Sequence, residues 1–172
     1  MKNPPSKFVN EHLRSLGENQ MILDFACGRG RHTRLALGLG HLVTAVDVDC
    51  SGLEDLRGSP GLTILERDLE SEPWPFPVHS FDMVIVSNYL WRPLLSEIGA
   101  AVRPGGLLVY ETFGLGNEAY GKPSNPDFLL KPGELFETFS PSFEVLHFNE
   151  GYEEQPKPAM RQTFAGRALG SS

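Results

Sequence analysis

Two cysteines in 172 residues exclude a disulfide-stapled scaffold. Cys27 and Cys50 lie in apolar-flanked segments without metal-ligand spacing, and the expectation is two free thiols in a reducing compartment. The histidines are equally scattered (His12, His32, His41, His79 and His147), so no metal site is expected. Basic runs are missing too. The chain carries 15 Lys and Arg against 22 Asp and Glu, a net charge of −7. Nucleic-acid backbones are held by clustered Lys and Arg, so no nucleic acid is expected as a partner. No stretch approaches the ~20 apolar residues of a membrane span. The N-terminal Met1-Lys2-Asn3-Pro4-Pro5 lacks the apolar run of a secretory leader. What these absences leave is a cytoplasmic chain, off the membrane, that handles a small molecule.

The length suits one domain over 1–172, and 40% apolar residues supply a full core. A domain of this size buries roughly 70% of the surface of its unfolded chain. Short runs rich in Val, Ile and Leu recur at 21–26, 42–48, 62–67, 81–87 and 106–112, with helical patterns at 31–39, 51–57 and 92–102 between them. That alternation predicts βα units and a parallel sheet, and the near-continuous apolar character suits strands covered on both faces. Arg103-Pro104-Gly105-Gly106 reads as the turn before the fifth strand. A short helix over 132–139 and strands over 143–150 and 161–168 follow. The last two are separated only by Glu153–Pro158, so they pair as a hairpin without a crossover helix. Residues 114–131 form a connection too long for a simple turn, and Phe128, Leu129 and Leu130 within it predict an ordered lid.

Chemistry concentrates where strands end. The first strand runs into Gly28-x-Gly30 and then a helix, an arrangement that lets backbone approach a ligand and offers helix N–H groups to an anion. Glycine turns also occur for steric reasons alone. Asp24, four residues before Gly28, is placed to face an ammonium. Asp47, nineteen residues after Gly28, ends the second strand, where a carboxylate accepts both hydroxyls of a ribose. Asp68 and the Leu69 amide follow the third strand and can read an adenine edge, although a turn-forming role is open for Asp68. Together these groups mark the carboxyl ends of successive parallel strands, where open α/β sheets bind ligands.

With Phe81-Asp82 opening the fourth strand and Arg103-Pro104-Gly105-Gly106 before the fifth, the ordered motifs over 21–113 resemble class I S-adenosylmethionine-dependent methyltransferases. The strings Gly28-Arg29-Gly30-Arg31-His32, Asn88-Tyr89-Leu90-Trp91-Arg92-Pro93-Leu94, Tyr110-Glu111-Thr112-Phe113 and 125–135 resemble a bacterial branch related to tellurite-resistance and thiopurine methyltransferases. The resemblance implies a single-domain, Rossmann-like, doubly wound sheet of seven strands, mostly parallel with an antiparallel last strand. It implies that Asp24, Ala26, Gly28 and Gly30 hold the methionine part. By the same resemblance Asp47 binds the ribose, Val48 lines the adenine, Asp68 and Leu69 read its edge, and Ser87 contacts the amino-acid end. Ala26 stands where the family often has Gly, and Trp91 where it often has His, which removes a general base from position 91.

The implied reaction is methyl transfer to a small-molecule acceptor, with S-adenosylhomocysteine as product and a soft sulfur, selenium or tellurium nucleophile as one acceptor class. Tyr89, Arg92 and Glu111 are the candidate catalytic residues: Tyr89 to shape the methyl-transfer site, Arg92 to pair with an anionic acceptor, Glu111 as base or lid-orienting group. Each has a structural alternative: packing for Tyr89, a helix cap or an ion pair with Glu97 for Arg92, and a partnered buried carboxylate for Glu111. Trp74, Phe76 and Trp91 read as core or pocket wall. Two other functions share the motifs. A cofactor-binding module that serves as a partner or regulator is one. A nicotinamide-dependent oxidoreductase is the other, although Thr33 replaces its third glycine.

Overall fold

The computed structural model describes residues 3–170. Its seven strands form one sheet in the order β3-β2-β1-β4-β5-β7-β6. They are β1 (Met21–Phe25), β2 (Leu42–Asp47), β3 (Leu62–Glu66), β4 (Phe81–Ser87), β5 (Val102–Phe113), β6 (Phe143–Glu153) and β7 (Ala159–Ala168). β1 through β5 pair in parallel, and β7 runs antiparallel to both neighbours. The sheet thus has the predicted seven strands, with only the last reversed. Its order turns outward on either side of β1 and β4, and a crevice opens there at the carboxyl ends.

Four α-helices cover the faces: α1 (Lys7–Arg14), α2 (Arg31–Gly38), α3 (Leu95–Ala100) and α4 (Glu134–Phe139). One core layer gathers Ile22, Val43, Met83, Ile85 and Val109 beneath α1 and α2. The opposite layer gathers Leu23, Val84, Val86, Tyr110 and Phe164 with α3 and α4. Helix α1 was not anticipated. It buries only Val9 and Leu13, too few apolar positions to stand out, and starts from Ser6, whose hydroxyl accepts the Val9 amide at 3.3 Å. The helix expected over 51–57 is a 3₁₀ turn, Ser51–Leu56, and that over 92–102 divides into a 3₁₀ turn at Arg92–Leu94 and α3. Pro93 at the start of the second segment fixes φ for a tight turn but donates no amide. β5 starts before the Arg103–Gly106 turn, which the sheet absorbs as a register shift opposite Phe81–Met83.

Residues 114–131 are ordered around two 3₁₀ turns, Asn117–Ala119 and Pro126–Phe128. Their ends are stitched together, with the Leu115 amide donating to Leu130 O and the Leu130 amide to Phe113 O, both at 2.9 Å. Leu129 and Leu130 are buried while Phe128 is exposed, so the expected apolar cluster divides between core and surface. No helix among the described residues is long and apolar enough to cross a membrane.

Candidate active site

The β1–α2 connection is built on left-handed backbone at three places: Ala26 (φ 54), Gly28 (φ 55) and Gly30 (φ 80). Glycine adopts this conformation freely, whereas for alanine it costs roughly 1–2 kcal/mol. The Ala26 departure from the family's glycine therefore introduces strain at the rim of the crevice. The turn is held by the Cys27 amide donating to Val46 O (3.0 Å), the Gly30 amide to Cys27 O (2.9 Å) and the Gly28 amide to Asp47 Oδ2 (2.9 Å).

Beside this turn, a cavity of about 320 Å³ opens over the ends of β1, β2 and β3. Ala26, Asp47, Val48, Asp68, Leu69 and Tyr89 are among its walls. Asp47 Oδ1 also accepts the Asp49 amide (3.1 Å), so each carboxylate oxygen spends one acceptor position on the chain and keeps another. Asp68 takes the turn-forming role raised above, accepting from the Glu70 amide (3.1 Å) and the Ser71 hydroxyl (2.9 Å), and still lines the cavity. Val48 is exposed at the mouth and Leu69 is buried in the wall. A cavity of this volume matches small-ligand sites.

Asp24 lies deeper. It is 3% exposed and accepts the Thr33 hydroxyl at 2.6 Å. Burial pushes its carboxyl up to about 6, against the opposing pull of the Thr33 hydrogen bonds and Arg31. A carboxyl whose folded value stands above its unfolded one contributes stability below about pH 4 that is lost as pH rises through about 6. Asp24→Asn is therefore expected to stabilise the ligand-free domain at pH 7 relative to pH 4, by on the order of 2–3 kcal/mol. Urea unfolding of both proteins across that window checks it. An Asn-minus-Asp difference that stays flat contradicts it.

The catalytic candidates fall into two groups. Tyr89 sits against Phe25 (5.3 Å between ring centroids) and its hydroxyl donates to Glu70 at 2.9 Å, which makes it a wall of the cavity. Burial raises its phenol above the ordinary range. Glu111 is 4% exposed and accepts the Ser87 hydroxyl at 2.8 Å, while Ser87 accepts from Arg31 at 3.0 Å. On its other side Arg161 stands 3.8 Å away, lies over the Phe113 ring and donates to Asn88 at 2.9 Å. Arg92 is engaged within the chain, and its ion-pair partner is Glu134 rather than Glu97. Its Nε and Nη2 grip Glu134 bidentately at 2.8 Å, and Nη1 and Nη2 donate to Asp127 O and Leu129 O at 2.9 Å. It fastens the 114–131 segment to α4.

Arg31, Asn88 and Arg161 were not singled out in the sequence. Arg31 was visible within the glycine motif, but only the fold carries its side chain to Ser87. Arg161 reaches Glu111 through the β5–β7 register, which sets Phe113 opposite Arg161. Asn88 carries a left-handed backbone (φ 57) that a polar side chain tolerates. Trp74 packs on Phe25 and Phe76, and Trp91 packs against the same core layer, as wall and core. Cys27 and Cys50 are free and buried in one small cluster with Ala45 and Leu53, and burial raises both thiols. No group of three or more metal-binding side chains occurs among the described residues.

Residues 22–106 match the methyltransferase domain family. An uncharacterized methyltransferase, YodH of Bacillus subtilis (strain 168), is 36% identical over 101 residues, 53% of this chain and 42% of that protein. A malonyl-(acyl-carrier protein) O-methyltransferase of Paenibacillus sp. (strain JDR-2) is 31% identical over 120 residues, 62% of this chain and 43% of that one. The chain thus spans less than half the length of these relatives. TehB from Haemophilus influenzae shares the fold with a TM-score of 0.77 at 17% identity, over 93% of this chain and 61% of its own. So does the Burkholderia thailandensis 1,6-didemethyltoxoflavin-N1-methyltransferase, whose structure contains S-adenosylhomocysteine (TM-score 0.72, 19% identity, 95% and 78% covered). Residues 22–106 thus match a methyltransferase domain by sequence, and the sheet order of the described chain is that of the S-adenosylmethionine-dependent methyltransferase fold.

Proposed function

We propose that this domain binds S-adenosylmethionine across the carboxyl ends of β1–β4 and transfers its methyl group to a small-molecule acceptor. The observation that carries the reading is the cavity at the ends of three successive strands, walled by Asp47, Val48, Asp68 and Leu69. The residues fit the cofactor. Asp47 keeps acceptor positions for the ribose hydroxyls, and Leu69 and Val48 supply apolar surface for a base. A Cβ at Gly28 would meet no heavy atom within 4 Å, so the turn leaves its outer side to a ligand.

The cofactor supplies an electrophilic methyl on a sulfonium, which leaves as a neutral thioether when an acceptor lone pair attacks in line. The protein's part is to hold both partners close and aligned. A soft sulfur, selenium or tellurium acceptor suits this site, because its titratable groups are already engaged: Tyr89 donates to Glu70, and Glu111 accepts from Ser87 beside Arg161. A nucleophile that is ionised or carries an exposed lone pair needs no base, whereas an amine or alcohol more often does. On the same reading residues 114–131, pinned by Arg92, close over the acceptor as a lid.

A methyl-transfer screen with labelled cofactor against thiols, selenite, tellurite, small carboxylates and amines tests this reading. Turnover confined to the soft acceptors is the expected result. Turnover confined to amines or carboxylates overturns the soft-acceptor assignment. Cofactor binding without turnover, together with a stable protein partner, points to a regulatory module. Binding of a nicotinamide dinucleotide instead points to an oxidoreductase.

A further inference from the structure

We infer that the Arg31 guanidinium anchors the carboxylate of the cofactor's amino-acid end, held ready for it by Ser87 and Glu111; this rests on the cofactor reading above. That end of the ligand is a zwitterion, and Asp24 answers only its ammonium. The two glycine amides of the turn are already occupied. The Gly28 amide donates to Asp47 and the Gly30 amide to Cys27 O. A side-chain cation beside the turn offers the carboxylate a charge-assisted partner that these amides do not.

Among the arginines near the turn, Arg34 is closed on Asp55 through both terminal nitrogens, at 2.7 and 2.8 Å. Arg29 is exposed, and its stem lies against Gly52 on the β2 side. Arg31 begins α2 and reaches the other way, across to the end of β4. Its Nη2 donates to Ser87 Oγ at 3.0 Å and its Nη1 to Pro4 O at 3.2 Å. Those bonds use two of the five N–H donors of a guanidinium and leave the rest for a ligand. Ser87 is itself oriented, because its hydroxyl donates to the buried Glu111 at 2.8 Å and so turns a lone pair toward Arg31. Glu111 thus acts on the cofactor site through Ser87 and Arg31, as a positioning residue.

Asp24 and Arg31 then form a matched pair for the two charges of one amino-acid group. Arg31 is also the cation that draws the buried Asp24 toward its ionised form. A guanidinium meets a carboxylate through parallel N–H groups, a geometry that lysine does not reproduce.

Calorimetric titration with S-adenosylhomocysteine and with its decarboxylated analogue, which keeps the ammonium and the adenosine, tests the anchor. The wild-type protein is expected to prefer S-adenosylhomocysteine by about tenfold or more. Arg31→Gln is expected to erase that preference, weakening S-adenosylhomocysteine at least about tenfold and the analogue less than about twofold. Ser87→Ala, a milder change, is expected to act in the same direction by a few fold. Thermal melts establish that the variants are folded. Equal weakening of both ligands by Arg31→Gln, or of neither, overturns the anchor and leaves the cofactor reading intact. A wild-type protein that binds neither ligand overturns both.

Discussion

Gly28→Val is expected to leave the domain folded and to weaken S-adenosylhomocysteine binding by about 2–3 kcal/mol, on the order of a hundredfold. The two halves of that expectation come from the same geometry. A Cβ at position 28 would meet no protein atom within 4 Å, so the first atom of the new side chain enters open space in the ligand-free molecule. Its isopropyl group instead fills space over the turn that the cofactor needs. The backbone there has φ +55, and a β-branched residue in that region adds roughly 1–3 kcal/mol of strain. A melt that remains cooperative, combined with an isotherm about a hundredfold weaker, is the expected pair of results. A folded variant with wild-type affinity would show that the ligand does not pass over Gly28.

Gly30→Ala, two residues on, is expected to fail in the opposite way. The added Cβ would drive into Leu53 Cδ2, and Leu53 is wholly buried between Cys27, Ala45 and Cys50. The backbone is also left-handed, with φ +80. Overpacking and backbone strain together predict a loss of about 2–5 kcal/mol, a large fraction of a domain's stability. Urea unfolding should show a lower midpoint with an unchanged slope. A midpoint equal to that of the wild type would mean that Leu53 moves aside without cost. A side chain at the first glycine of the motif would point into open space, whereas one at the second would meet Leu53.

Those different surroundings were not legible in Gly28-x-Gly30, because space around a backbone atom depends on what other elements bring to it. What was legible followed from local regularity. Apolar runs of the right length gave the strands, and their alternation with helical segments gave the parallel sheet. The strand ends then located Asp47, Asp68 and Leu69 at one cavity. The errors have equally particular causes. Arg92 precedes Glu97 by one helical turn and a bit, a natural local pair, yet it binds Glu134 from α4. Arg161 lies fifty positions beyond Glu111 and meets it only through the β5–β7 register. Helix α1 escaped because two buried residues on a short polar segment leave little periodic trace. Ala26 gave no sign of its left-handed backbone, because alanine ordinarily avoids that conformation.

The central claim is that a nucleoside cofactor sits over Asp47, and calorimetry of Asp47→Ala tests it most directly. Asp47 is only half-buried, and its contacts within the chain are two backbone amides at the surface of the crevice. Removing it therefore costs the fold little. It also removes a charged acceptor for the ribose hydroxyls, at about 1.5–3 kcal/mol for each charge-assisted bond. The account predicts one molecule of S-adenosylhomocysteine bound per wild-type chain. It predicts binding at least about tenfold weaker to an Asp47→Ala protein that still unfolds cooperatively. Unchanged affinity in that folded variant, or no saturable binding to the wild type, would contradict it.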